Sequence, residues 1–231
     1  LFDDAGTEIA VGPDGIPFAA YRLTLDFIAP ILLDCINFLM KGGLPPEDFN
    51  GGLLLLLPKK NTYKVEDTRP LVINNTDNRL VATIIRDSIA PALDTVLSDD
   101  QNGFRDRRST NDNINYYNEK FYGSMENREF YDILFVDFCK AFDSVSHDAI
   151  FKLLDRLGFA LDYQNIIKSL FHNAYCYTDQ NKTTTITFSS GVKQGCPLSP
   201  LLFIMVADVL IDMLDKVTGA DIKFYADDAA V

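Results

Sequence analysis

Three aspartates have the residue type and spacing to hold divalent metal ions. Asp227 and Asp228 stand side by side between short apolar runs near the end of the 231-residue chain, and this pattern predicts a β-hairpin with both acids at its tip. Adjacent like charges repel each other, so the arrangement is unfavourable unless a cation lies between them. Two magnesium ions that bridge phosphate oxygens would remove the repulsion, which points to phosphoryl transfer.

Asp137 is the third acid, far upstream of the other two. It follows the aromatic and β-branched segment 131–136, which predicts a buried strand. An acid at the end of a strand, facing the hairpin acids, would supply the hard oxygen ligands that magnesium prefers. Taken alone, such an acid is more often a turn former, and Asp99–Asp100 is another adjacent acid pair.

A loop rich in glycine and proline, residues 189–200, lies between the two acid sites in the sequence. Ser199 fits the N-cap and Pro200 the first residue of a long apolar helix. Gly195 would allow a close backbone approach to a ligand, and the side-chain amide of Gln194 offers both a donor and an acceptor. An ordinary core helix explains the residues after the loop but not the loop itself.

Together these segments resemble the palm motifs of reverse transcriptases, most closely those of non-LTR retrotransposons and group II introns. The strings that carry the resemblance are FVDFCKAFDSV, GVKQGCPLSPLLF and FYADD, in this order. Upstream strings agree with it, namely GPDGIP, LLLLLPKKN, DTRPLVI and QNGFRDRRSTNDNI. The resemblance runs from about residue 12 to the end of the chain, and the ordered set is far more specific than any one string.

The resemblance implies that Asp137, Asp227 and Asp228 are the catalytic carboxylates of an RNA-directed DNA polymerase. They would hold two Mg²⁺ ions, or Mn²⁺ as a substitute, with the main chain at Phe138 contributing. Phe142 matches the bulky residue beneath the sugar of the incoming nucleotide, where an aromatic ring occupies the space that a 2′-hydroxyl would need. The alternative for Phe142 is simple core packing.

The resemblance also assigns residues to the incoming nucleotide. Gln194 and Gly195 match positions at the junction of palm and fingers that contact this nucleotide. Arg69, with either Lys59 or Lys60, matches the fingers cations that meet the triphosphate, and the planar guanidinium of arginine suits bidentate phosphate binding. Considered singly, each of these cations is better explained as part of an exposed basic loop.

Charge argues in the opposite direction. The chain has 21 Lys and Arg residues against 33 Asp and Glu residues, a net charge of −12, whereas a protein that grips a nucleic-acid backbone is expected to be basic. A short basic run, Arg105 with Arg107 and Arg108, fits either template-backbone contact or a solvated loop. The resemblance implies that the thumb, which grips template and primer, would lie downstream of the hairpin. We therefore expect this chain by itself to hold nucleic acid weakly.

The predicted elements favour an α+β fold, because strands and helices mingle without strict alternation. Besides the palm segments, strands are expected over 53–57, 71–74 and 183–189, and helices over 23–40, 77–97, 111–125, 146–157 and 162–173. Pro30 and Pro91 are expected to kink or interrupt two of these helices. The resemblance implies right-hand polymerase fingers, roughly residues 1–95 and 146–190, and a palm, roughly 96–145 and 191–231, with an antiparallel sheet backed by helices and no thumb.

Composition constrains the cellular setting. The four cysteines are widely and irregularly spaced, which excludes the usual zinc signatures and suits a reducing compartment, nuclear or cytoplasmic. No apolar run is long enough to cross a bilayer, and no leader peptide is visible. The expected partners are an RNA template, a DNA primer and deoxynucleoside triphosphates.

Three other functions compete with reverse transcription. An RNA-directed RNA polymerase shares the palm chemistry, although Phe142 argues against it. A catalytically silent module derived from a polymerase, binding nucleic acid or a protein partner, would typically lose the metal carboxylates that this chain retains. Another palm-type nucleotidyl transferase, such as a cyclase, would not explain the upstream strings PKKN, RPL and QNGF.

Overall fold

The computed structural model describes residues 10–59, 64–128, 130, 132–179, 181–218 and 220–231, without the side chains of residues 217 and 218. Its helices, numbered in chain order, are α1 (Phe18–Leu23), α2 (Leu25–Met40), α3 (Thr76–Asp94), α4 (Thr110–Asn127), α5 (Ala141–Ser144), α6 (His147–Arg156), α7 (Leu161–Phe171) and α8 (Ser199–Thr218). Its strands are β1 (Gly51–Pro58), β2 (Thr68–Asn74), β3 (Phe135–Asp137), β4 (Tyr175–Tyr177), β5 (Thr185–Thr187), β6 (Lys223–Tyr225) and β7 (Asp228–Ala230).

The strands form two separate sheets. The first is four-stranded in the order β2-β1-β4-β5, with β1 antiparallel to β2 and parallel to β4. The second is three-stranded in the order β3-β7-β6 and entirely antiparallel. The α+β prediction and the antiparallel sheet backed by helices are therefore confirmed.

Helix α8 packs into two of the three apolar clusters of the described core and backs the three-stranded sheet. Its first half, from Leu201 to Met205, is buried in the main apolar cluster with residues of α3, α6 and α7. Further along, Ile211 packs with Phe224 of β6 and Ala229 of β7. A fully buried apolar side chain contributes about 1.5–3 kcal/mol, so this helix holds the sheet firmly in place.

Several predicted boundaries need correction. Ser199 is the first helical residue of α8 rather than its N-cap, and its N–H donates to the carbonyl of Cys196 at 3.2 Å. Helix α3 continues through Pro91, because buried Ile89 and Leu93 on either side pack into the core and offset the hydrogen bond that proline lacks. The predicted strand 183–189 shortens to β5, and its partner β4 was not predicted at all.

Within the described ranges, no helix is both long enough and apolar enough to cross a membrane.

Candidate active site

The register of the three-stranded sheet brings two of the predicted carboxylates side by side. Asp137 is the last residue of β3, as predicted, but the predicted buried strand over 131–136 is wrong, because β3 covers only Phe135–Asp137 and Phe135 is 78% exposed. Asp137 pairs directly with Asp228, the first residue of β7. Directly opposed residues of an antiparallel pair project their side chains from the same face, with Cβ atoms about 4.5–5.5 Å apart. Asp227 precedes Asp228 in the turn between β6 and β7, so the third carboxylate is adjacent.

The predicted hairpin is present, but only one of the two acids, Asp227, lies in its turn. The turn has two residues, Ala226 and Asp227, because Tyr225 and Asp228 already form a strand pair. Asp228 therefore belongs to β7 rather than to the tip. This position is what places it opposite Asp137 instead of leaving it in a solvated turn.

The electrostatics of the site are those of uncompensated like charges. The pKa of Asp228 is raised, first by partial burial and then by the neighbouring charges of Asp227 and Asp137. In the described part of the chain, no lysine or arginine forms an ion pair with any of the three acids. Like charges directly opposite each other destabilise a sheet, so the arrangement is unfavourable without a cation.

The donor chemistry fits hard divalent cations, whereas the grouping is not that of a closed metal cage. Carboxylate oxygens are the ligands that Mg²⁺ takes up, usually one or two of them together with water and substrate phosphates. Among the described residues, no three Asp, Glu, His or Cys side chains lie close enough together to hold a metal ion by themselves. A site of this kind would take its remaining ligands from the substrate.

Two aromatic residues that follow the acid of β3 in the sequence pack against β6 and α8. Phe138, directly after Asp137, stacks on Phe224 of β6 with ring centroids 6.0 Å apart. Phe142 is half-buried and lies flat against Phe203 of α8, with centroids 4.7 Å apart and planes 8° apart. One face of the Phe142 ring thus packs against Phe203, as the core-packing interpretation expects. The predicted place beneath a nucleotide sugar stays a prediction.

The loop before α8 packs against β2. The carbonyl of Gln194 accepts the N–H of Val72 at 2.7 Å. Gly195 has a φ of +113°, and a Cβ there would lie 2.4 Å from the carbonyl oxygen of Val72. The close backbone approach that this glycine permits is therefore to β2, while the predicted ligand contact stays a prediction.

The predicted triphosphate cations lie on the hairpin of β1 and β2. Arg69 is exposed on β2 opposite Leu57, and Lys59 is exposed just after β1, with its N–H donating to the carbonyl of Asp67 at 2.9 Å. Lys60 lies outside the described residues. No contact joins Arg69 or Lys59 to the three carboxylates within the described structure.

Gln194 and the carboxylates do not share a cavity. Gln194 lines a space of about 300 Å³ together with Leu54, Pro70 and Ile186 of the four-stranded sheet. The described lining of this cavity includes none of the three acids. The structure thus places Asp137 opposite Asp228, with Asp227 next to them in the turn, and the described cavity that Gln194 lines lies apart from these acids.

Sequence reasoning did not identify Arg105 as a buried structural residue. Its guanidinium pairs with Asp94 at 2.6 Å and donates to the carbonyls of Ser98 and Gln101. Neither alternative for this arginine, template contact or solvated loop, is correct, because its donors are used inside the protein. The basic run itself carries no local signal of this burial.

Lys193 and Gln101 are two further buried polar residues that the sequence does not reveal. Lys193 donates from Nζ to the carbonyl of Asn50 at 2.8 Å, and desolvation lowers its pKa to about 8. Gln101 is fully buried and pairs with Phe224 of β6 in an isolated parallel bridge. Lysine and glutamine side chains are ordinarily exposed, so residue type gave no sign that either one is buried. Gln101 was noted only as the first residue of the QNGF string.

Comparison with known proteins agrees with this architecture. The 149 kDa protein of transposon TX1 from Xenopus laevis is 27% identical over 216 residues, which cover 92% of this chain and 16% of that protein. A Pol polyprotein of the type-1 retrotransposable element R2 from Popillia japonica is 29% identical over 217 residues, 91% of this chain and 29% of that protein. The chain therefore spans less than a third of the length of these relatives.

The structural comparison supports the fold alone, because sequence identity is low. Telomerase from Candida tropicalis, solved with a fragment of telomeric RNA, superposes with a TM-score of 0.58 at 12% identity, covering 93% of this chain and 40% of that one.

In sequence, residues 57–231 match the family described as reverse transcriptase (RNA-dependent DNA polymerase). That match covers well over half of the chain, and the chain therefore belongs to the reverse transcriptase family.

Proposed function

We propose that this chain is the fingers and palm part of an RNA-directed DNA polymerase of the non-LTR retrotransposon type. The observation that carries the proposal is the direct pairing of Asp137 with Asp228, with Asp227 adjacent and no cation of the described chain paired to any of them. A binding module without catalysis would have no use for two opposed acids with a third beside them. An RNA template, a DNA primer and deoxynucleoside triphosphates are the substrates and partners that follow.

The carboxylates of Asp137, Asp227 and Asp228, with the main chain at Phe138, would hold two Mg²⁺ ions or Mn²⁺ in their place. When bound, such ions lower the pKa of the primer 3′-hydroxyl and neutralise the pyrophosphate leaving group. The side chains of this chain fix the place of the reaction. The acids of β3 and β7 would hold the metal ions at the end of the three-stranded sheet, because among the described residues no lysine or arginine forms an ion pair with them.

The reaction itself joins the primer to the nucleotide. The 3′-hydroxyl oxygen forms a bond to the α-phosphorus and loses its proton to solvent, while the bond from that phosphorus to the pyrophosphate oxygen breaks. Arg69 and Lys59, on the β1–β2 hairpin, and the amide of Gln194 are assigned to the triphosphate, with Gly195 beside it. We assign residues of the four-stranded sheet to the fingers and those of the three-stranded sheet to the palm.

Primer extension on an RNA template, in the intact polymerase that contains this chain, tests the proposal. Asp137→Asn and Asp227→Asn should each lower the rate by more than the roughly 100-fold that loss of an outer-shell partner costs. Asp148→Asn is the charge-matched control, because Asp148 is exposed on α6 and pairs with Lys152. Extension by either site variant at the rate of the control would contradict the proposal.

The choice of sugar separates DNA from RNA synthesis. Phe142→Ala should raise ribonucleotide use relative to deoxynucleotide use by roughly tenfold or more, because the ring no longer fills the space of the 2′-hydroxyl. The ratio of the two incorporation rates is the measurement, since it cancels any loss of stability from the broken stack with Phe203. An unchanged ratio would leave Phe142 as a packing residue.

A further inference from the structure

The acid-bearing turn has a backbone conformation that its own strands do not enforce. Ala226, the first residue of the turn, has a φ of +58°, in the left-handed region where residues with a Cβ are strained. The flanking strands β6 and β7 are each three residues long, so they supply few hydrogen bonds to hold the turn. A conformation of this kind persists only where surrounding structure imposes it.

Gln101 supplies that support. Its side chain is fully buried, and its Oε1 accepts the N–H of Ala226 at 3.1 Å and the N–H of Gly103 at 2.8 Å. The Nε2 of the same amide donates to the carbonyl of Ala226 at 3.3 Å. One side chain therefore satisfies both backbone polar groups of the strained residue.

The segment 100–103 aligns this amide with the turn. The N–H of Asn102 donates to the carbonyl of Phe224 at 2.9 Å, and the N–H of Phe224 donates to the carbonyl of Asp100 at 2.7 Å. Gly103 lies against the turn so closely that a Cβ on it would stand 2.1 Å from the backbone nitrogen of Ala226. The segment thus acts as an added edge to β6 and ends directly beneath the turn.

We infer that Gln101 is a positioning residue for the catalytic acids, acting through the backbone of Ala226. Because Asp227 and Asp228 follow Ala226 directly, fixing this residue fixes the direction in which their carboxylates leave the turn relative to Asp137. The role assigned to the acids rests on the proposed function. The hold of Gln101 on the turn is a property of the structure that can be tested separately.

Gln101→Met tests the inference, because methionine keeps the size of the side chain and removes its hydrogen bonds. Gln164→Met is the matched control: Gln164 is also buried, at 8% exposure against 0% for Gln101, and it donates to a single carbonyl, that of Phe159, at 2.9 Å. We expect the amide hydrogen of Ala226 to exchange roughly tenfold faster or more in Gln101→Met and to be unchanged in Gln164→Met. Equal exchange of Ala226 in the two variants would overturn the inference.

Metal affinity is the second readout, because a merely structural glutamine would not alter it. Titration of the chain with Mn²⁺ should show affinity roughly 10- to 100-fold weaker in Gln101→Met than in the wild type, with Gln164→Met unchanged. Wild-type affinity in Gln101→Met despite faster exchange would also overturn the inference. Failure of the wild-type chain to bind Mn²⁺ would count against the proposed function instead, and hydrogen exchange would then decide the role of Gln101.

A second substitution covers the case in which Gln101→Met unfolds the whole chain. Gln101→Glu, measured near pH 5, presents a buried carboxyl that burial keeps protonated, and this group can both accept from and donate to Ala226. Slow exchange at Ala226 in this variant supports the inference. Fast exchange confined to the turn, despite a folded chain, would overturn it.

Discussion

Two pairs of adjacent acids, Asp99–Asp100 and Asp227–Asp228, differ in whether the protein supplies a cation to them. Asp99 and Asp100 are each neutralised by a cation of the protein itself, Asp99 by Arg108 and Asp100 by Lys223. The hydrogen bond from Arg108 lowers the pKa of Asp99. Asp228, in the other pair, has a raised pKa, because burial and the charges of its acidic neighbours act on it.

The difference separates a structural acid pair from the pair that we propose binds metal. Lys223 belongs to β6 and binds Asp100, and β6 is a strand of the same hairpin that carries Asp227 and Asp228. Lys223 thus lies within a few residues of Asp227 and Asp228 in the sequence, but its ammonium group pairs with Asp100 instead. Uncompensated charge at a site that the rest of the protein holds rigidly is the arrangement expected where a ligand supplies the missing cations.

Gly103→Ala, which pushes the 100–103 segment away from the turn, should have the largest effect. The added Cβ meets the backbone of Ala226, so the two regions must separate, and we expect a loss of about 2–3 kcal/mol in the free energy of unfolding. Gly123→Ala is the control, because open space surrounds Gly123 within α4, and it should gain about 0.5–1 kcal/mol. Urea denaturation of both variants measures the effects, and equal stability would mean that the close approach is not real.

Lys223→Met makes the structural pair resemble the functional one. The ion pair is partly buried, and Nζ of Lys223 also lies 4.4 Å from the ring centroid of Tyr116. We expect a loss of about 1–2 kcal/mol, below the roughly 3–5 kcal/mol of a fully buried pair. A stability unchanged within the error of denaturation would show that Asp100 needs no partner and would weaken the comparison.

Asp228→Asn, the smallest of these effects, should stabilise the protein while abolishing activity. Removing one of two opposed charges should gain about 0.2–1 kcal/mol at neutral pH. Because the folded-state pKa of Asp228 is raised, the wild type loses stability as pH rises from the unfolded pKa through the folded one, and the asparagine variant lacks this loss.

The lowered pKa of Asp99 has the opposite sign, so its contribution is present above the unfolded pKa and is lost as pH falls through the folded one. Thermal unfolding across the acidic range distinguishes the two groups. A stability difference between wild type and Asp228→Asn that does not change with pH would contradict the assigned repulsion.

Local sequence patterns predicted the acidic residues of the candidate site. They did not predict the contacts that hold those residues in position. Asp137 at a strand end and the acid pair in a hairpin each follow from a few neighbouring residues, so they were predicted correctly. The pairing of Asp228 with Asp137, and the burial of Gln101 beneath Ala226, join residues far apart in the chain. No local polarity pattern encodes such contacts, because polar residues in loops ordinarily remain solvated.

The fold shows the same division. Long amphipathic segments such as α3 and α4 were found to within a few residues, whereas the short strand β4 was missed. Three residues are too few to show the alternating hydrophobic pattern that predicts a strand. Segment β4 is a strand because it forms hydrogen bonds with β1 on one side and β5 on the other. Tertiary contacts, rather than propensity, created this element.

Paramagnetic broadening of backbone amide signals by Mn²⁺ is the most direct test of the claim that the three acids share divalent metal. The account predicts that broadening centres on Asp137, Asp227 and Asp228 in the wild-type chain and disappears in Asp137→Asn. Broadening that centres on Asp99 and Asp100, or that persists unchanged in the Asp137→Asn variant, would contradict it.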